Sequence, residues 1–178
     1  MSNHGWFKKD KDSKGKIAVI LIDMQKSFVD RLRRGEAKRI IPKQLTVLER
    51  CNKLGIPVIV LELRKSEFGE TVEVLIKKAK KNSNFYLIAK SYDDGFIETE
   101  LHSHLRSLKI KKLFLMGINA DYCVRETGKG AIDKGYKIIT SEEVIAGQTD
   151  HSNDNSIPWF SSNGSCIGSV KKFAEVIQ

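Results

Sequence analysis

Apolar residues fall in short unbroken runs, separated by stretches where polar and apolar positions alternate with helical spacing. Ile17-Ala18-Val19-Ile20-Leu21-Ile22 is the first run. It is too short for a typical helix and rich in β-branched residues, so it reads as a buried parallel strand. Residues 56–63, 85–89, 112–116 and 136–140 repeat the signal. Pro57 falls at the start of its strand, where a missing N–H is tolerated. Between these runs, residues 42–54, 68–81, 99–108 and 123–134 carry helical spacing. In the first, Leu45, Leu48 and Leu54, with Val47 and Cys51 beside them, share a face; Pro42 falls in its first turn and Gly55 terminates it. In the second, Val72, Leu75, Ile76 and Ala79 point inward and lysines outward. Glu143-Val144-Ile145 reads as a short strand or turn. Residues 147–164, polar and rich in Asn and Ser, read as a long loop, a length that is often functional. Residues 168–177 read as a terminal helix.

Alternating strands and helices predict an α/β domain of three layers, a parallel sheet with helices on both faces. Ligands in such sheets bind beyond the carboxyl ends of the strands. Asp23, Lys90 and Cys123 each close a different predicted strand or the turn after it. Singly, each is weak: Asp23 reads equally as a loop cap, and a lone Cys near a strand end is more often an inert thiol. Their coincidence at one end of the sheet makes all three candidates for chemistry.

The chain has 178 residues, 40% of them apolar, which suits one domain over residues 17–178 behind a polar tail at 1–16. No internal repeat or linker divides it. No apolar run approaches the ~20 residues of a membrane span, and the tail lacks the apolar core of a secretory signal. Three cysteines without a Cys-x-x-Cys pair fit free thiols in a reducing compartment, so a cytoplasmic location is expected. Lys and Arg number 31 against 22 Asp and Glu, a formal net charge of +9. That balance fits either an acidic partner such as nucleic acid or a lysine-rich solvated surface. The clusters at 31–34, 77–81 and 109–112 lie at predicted helix ends and connections with no interleaved aromatics, which favours the surface. His102 and His104 are two residues apart on a predicted helix and do not face the same way, which disfavours a shared metal.

The strand ending at Met116 runs into Gly117-Ile118-Asn119-Ala120-Asp121-Tyr122-Cys123-Val124-Arg125-Glu126-Thr127. Cys123 is thus predicted near a helix N-terminus, where unpaired N–H groups favour a thiolate. A cysteine nucleophile also needs a base, a positive group and an oxyanion hole. Apart from His151 in the long loop, no His lies near a strand end. Asp23 can act as the base if desolvation raises its pKa. Lys90 would stabilise the thiolate and orient Asp23.

Three ordered motifs carry a resemblance: Ile22-Asp23-Met24-Gln25; Lys90 followed by Phe96 and Thr99-x-Leu101; and Gly117 to Val124. Over about residues 16–146 the chain resembles the isochorismatase-like cysteine hydrolases, a family that includes nicotinamidases and N-carbamoyl amide hydrolases. The resemblance implies a Rossmann-like, six-stranded parallel sheet of order 3-2-1-4-5-6 between helix layers. It implies an Asp-Lys-Cys triad at Asp23, Lys90 and Cys123, and a cis peptide at Ile118–Asn119. It implies oxyanion donors in the backbone N–H groups of Asn119 and Cys123, and a substrate pocket lined by Phe28, Asn119 and Tyr122. It also implies a homodimer or homotetramer that closes the pocket. In that sheet order Lys90 starts roughly 10 Å from Asp23, so its loop must bend back. Nicotinamidases carry an Asp-x-His metal motif after the second strand; here the segment is Leu61-Glu62-Leu63-Arg64-Lys65, so no metal and no other cofactor is expected. Vinyl-ether-cleaving isochorismatases lack the cysteine, so its presence implies the amidase branch. The expected activity is cleavage of an amide or related C–N bond of a small molecule through an acyl-thioester. The alternative is a catalytically idle member that binds a small ligand or an acidic partner.

Overall fold

The computed structural model describes residues 17–64, 66–149 and 151–177. The expected tail at 1–16 lies outside them. β1 (Ile17–Ile22), β2 (Val58–Leu63), β3 (Phe85–Lys90), β4 (Lys112–Ile118) and β5 (Lys137–Thr140) form a parallel sheet with the short β6 (Ile145–Ala146) and β7 (Ser165–Cys166). The order is β3-β2-β1-β4-β5-β7, with β6 pairing β4 beyond β5. This is the expected Rossmann-like α/β architecture, with the last edge position taken by β7.

The centre of the sheet follows from composition. Every residue of β1, Val58 to Leu61 of β2 and Leu113 to Ile118 of β4 are buried, so these strands are apolar on both faces. β3 is an edge strand, and its Leu87 is half exposed. Its last residue, Lys90, is nevertheless buried. β1 and β4 pair from Ile17↔Lys112 to Ile22↔Gly117. At that last pair the backbones approach so closely that a Cβ on Gly117 would overlap the Ile22 backbone, and Gly117 also holds a φ of +140°. The close approach sets the turn carrying Cys123 beside the turn carrying Asp23.

Around the sheet lie α1 (Lys26–Asp30), α2 (Glu36–Leu54), α3 (Glu73–Ala79), α4 (Leu101–Ser107), α5 (Arg125–Asp133), α6 (Ser152–Asn163) and α7 (Phe173–Val176). α2 begins six residues before Pro42, so the proline is inside the helix rather than in its first turn. Arg39 anchors those added turns: it pairs with Glu36 and donates to the carbonyls of Glu142 and Ile145. Its core face is Ile40, Gln44, Val47, Leu48 and Cys51, at helical spacing. The predicted helix at 68–81 is shorter, a 3-10 turn at Ser66–Phe68 followed by α3.

The predicted loop at 147–164 is largely α6. Its buried residues are Ser152, Ser156 and Phe160, four apart on one face, so the helix packs through hydroxyls and leaves little apolar periodicity. Trp159 and Phe160 lie against Gly128 of α5, where a Cβ would crowd both rings. The His pair is used in packing: His102 Nδ1 lies 3.1 Å from the Tyr136 hydroxyl, and His104 stands edge-on to Tyr86. Among the described residues no helix is long and apolar enough to cross a membrane.

Candidate active site

Asp23 leaves β1 at a φ of 50°, a left-handed conformation uncommon for a residue with a side chain. Its N–H is held by the Leu61 carbonyl at 3.0 Å. Gln25 staples the turn down: its amide donates to the Leu63 and Gly69 carbonyls and accepts from the Leu63 N–H. Asp23 is 1% exposed.

Lys90 reaches it from the edge strand. The Lys90 Nζ stands 2.8 Å from Asp23 Oδ2, with both side chains fully enclosed. The loop need not carry Lys90 inward, because the lysine's four-carbon stem spans the width of β2 by itself. The ammonium also donates to the Tyr92 carbonyl at 3.0 Å. Neither Asp23 oxygen has a well-directed hydrogen-bond donor, so the contact with Lys90 is an ion pair of oblique geometry. Burial pushes the Asp23 carboxyl above its ordinary pKa, while the Lys90 charge and the Cys123 thiol pull it down less strongly. A buried carboxylate with unused lone pairs is a competent proton acceptor.

Cys123 lies in a π-helical turn at Ala120–Val124 that precedes α5. The Asn119 carbonyl accepts from both Tyr122 N–H and Val124 N–H, the second an i→i+5 bond. The Ile118–Asn119 peptide before it is cis. The thiol lies within interaction range of Asp23, but its well-aligned acceptor is Asp93 Oδ1 at 3.3 Å. The environment of the sulfur favours the thiol, whereas a helix start alone favours a thiolate. Burial raises its pKa, and the negative charges of Asp23 and Asp93 add to that; Lys90 opposes them without overcoming them. The helix-terminus effect is modest and local, whereas two carboxylates lie beside the sulfur.

The structure thus gathers Asp23, Lys90 and Cys123 at the carboxyl end of the sheet. Asn119 sits at the head of the same turn, with its side-chain Oδ1 buried and without a donor. Phe28, on α1, is 8% exposed and stacks on Phe68 with ring centroids 4.5 Å apart. Tyr122, in the same turn as Cys123, is 60% exposed. Cys51 is a fully buried core residue whose thiol is pushed up to about 12 by burial. Asp93 is the residue that sequence reasoning missed. Its only signal is an acidic pair, Asp93-Asp94, three residues past Lys90.

The metal position of the nicotinamidase motif is otherwise occupied. Leu61 is in the core, and the Glu62 carboxylate accepts the Thr71 N–H at 2.7 Å. Among the described residues no three His, Cys, Asp or Glu side chains are grouped to hold an ion. The residues present do not fit that group. Clefts of about 470 and 650 Å³ open at the opposite end of the sheet, near the starts of β4 and β5, and contain none of these site residues.

An Asp, a Lys and a Cys gathered at the strand ends of a 3-2-1-4-5 sheet define a particular class. Residues 17–170 match the isochorismatase domain, and the chain belongs to the isochorismatase family, whose members include hydrolases. It is 24% identical over 158 residues to an uncharacterized isochorismatase family protein, YaaI, of Bacillus subtilis, covering 80% of this chain and 87% of that one. Its fold is shared by the MAR1 ribonuclease of Caenorhabditis elegans, with a TM-score of 0.82 at 18% identity over 92% of this chain and 82% of that one. It is also shared by the N-carbamoylsarcosine amidase of Thermoplasma acidophilum, with a TM-score of 0.71 at 25% identity over 87% and 96%.

Proposed function

We propose that the chain is a cysteine hydrolase that cleaves an amide or related C–N bond of a small molecule without a metal. The observation that carries this reading is the enclosed Asp23–Lys90 ion pair beside the Cys123 thiol. Asp23 takes the thiol proton as Sγ attacks the substrate carbonyl carbon. The backbone N–H groups of Asn119 and Cys123 hold the oxyanion. As the tetrahedral adduct collapses, Asp23 returns the proton to the leaving nitrogen. Ammonia or an amine departs and an acyl-thioester remains. Asp23 then takes a proton from water, the resulting hydroxide attacks the thioester, and the acid and thiol are released. Lys90 holds Asp23 in place and balances the charge that passes between carboxylate and sulfur. A reducing, cytoplasmic setting keeps the sulfur free.

An ammonia-release screen over small amides, ureas and carbamoyl compounds, run with and without chelator, tests this reading. Turnover of at least one compound, unchanged by chelator, is expected. Turnover that vanishes with chelator would contradict the metal-independent mechanism. A second reading, a binding protein with an idle site, draws on the protonated state of the sulfur. Silence across the whole screen favours the idle site.

A further inference from the structure

The loop that follows Lys90 delivers a second carboxylate to the nucleophile. Cys123 Sγ donates to Asp93 Oδ1 at 3.3 Å, yet Asp93 itself is exposed. A group that touches the buried sulfur and also faces solvent stands at the entrance to the site. Its position is fixed by its neighbours rather than by its own side chain. The Thr127 hydroxyl, fully buried on α5, donates to the Asp93 carbonyl at 3.3 Å and accepts the Gly95 N–H at 3.0 Å. Thr99 donates to the Gly95 carbonyl, and the Phe96 N–H donates to Asp94 Oδ1. A Cβ on Gly95 would meet the end of the Leu61 side chain and crowd Thr127, so the loop packs closely at this glycine.

The charges at this point do not balance. Two carboxylates, Asp23 and Asp93, face the sulfur, and the ammonium of Lys90 is turned to Asp23 and the Tyr92 carbonyl. Arg125, two residues beyond Cys123, is drawn toward Glu126 at 3.7 Å. Loss of the thiol proton would leave two like charges within hydrogen-bond distance. A cation arriving with the substrate would relieve this. A substrate carboxylate would worsen it. The same turn offers a second acceptor, the buried Asn119 Oδ1 that has no donor.

We propose that Asp93 is a specificity-determining residue that selects amides bearing an ammonium, amidinium or similarly N–H-rich group beside the scissile carbonyl, and rejects those bearing a carboxylate there. This rests on the cysteine-hydrolase reading and narrows its substrate class. The incoming cation pairs with Asp93 and releases the Cys123 thiol from it, so the thiol proton can turn to Asp23 and the sulfur becomes nucleophilic when the right substrate is bound.

The test uses the field at the sulfur and needs no turnover. Cys123 is modified by a cationic and by an anionic methanethiosulfonate reagent, and the product is located by peptide mass mapping so that Cys51 and Cys166 do not contribute. The rate ratio is compared between the wild type and Asp93→Asn. The unmodified chain should favour the cationic reagent about tenfold or more, and Asp93→Asn should lower that ratio about tenfold at low salt. A change in thiol pKa affects both reagents alike and cancels in the ratio. Asp93→Ser, which also removes the charge, should behave the same way. In the amide screen, kcat/KM for a cationic substrate over its neutral isostere should fall in both variants. An unchanged reagent ratio in both variants overturns the role of Asp93 even if the enzyme turns over amides. A biased sulfur that hydrolyses no amide overturns the hydrolase reading instead.

Discussion

Replacing Cys123 by Ala should lower turnover by at least about 10⁴-fold, since a removed nucleophile leaves only binding and oxyanion stabilisation. The fold should survive. The substitution deletes one sulfur from a residue already 5% exposed, and the cavity it leaves costs about 1 kcal/mol. Circular dichroism and thermal unfolding check the second statement, and ammonia release the first. Turnover within tenfold of the wild type would remove Cys123 from the chemistry.

Lys90→Met should cost both stability and rate. It leaves the Asp23 carboxyl enclosed without its counter-charge, a loss of about 3–5 kcal/mol for a buried pair broken on one side. The cost is reduced because Asp23 can protonate. Lys90 lowers the Asp23 pKa, so its removal raises it further. Asp23 must be ionised to take the thiol proton, so the acid limb of kcat/KM should move to higher pH in the variant. The linkage to stability has the same sign. An acid whose folded pKa lies above its unfolded value binds more protons when folded, so its contribution falls as pH rises from the ordinary Asp value of 3.8 toward the folded value. The stability of Lys90→Met should therefore decline more across that window than the wild type's. Adding Asp23→Asn should recover part of the stability and none of the activity. Unfolding curves at several pH values measure this, and equal stability of Lys90→Met and wild type would contradict the enclosed pair.

Much of the fold was legible because its central strands are apolar on both faces. The runs at 17–22 and 112–116 have no amphipathic alternative, and parallel pairing with crossover helices leaves few topologies. The elements that sequence hid are those that use chemistry other than apolar burial. α6 buries serines, the first turns of α2 are pinned by Arg39, and β7 is two residues long. At the site, the three strand-end residues were legible as a coincidence of position. Their environment was not. The expectation of a thiolate weighed the helix terminus, which sequence shows, and not the Asp93 carboxylate, which only folding brings to the sulfur. Tyr122, next to the nucleophile in sequence, is exposed while Cys123 is buried, because consecutive positions in a helical turn face different directions.

The covalent intermediate tests the account most directly. A substrate found in the ammonia screen is mixed with enzyme, quenched in acid during turnover and mapped by peptide mass spectrometry. The account predicts an acyl group on the peptide containing Cys123, sensitive to hydroxylamine as a thioester is, and absent from Cys123→Ala. Rapid turnover with no acyl adduct on that peptide, or with the adduct on Cys51 or Cys166, would contradict it.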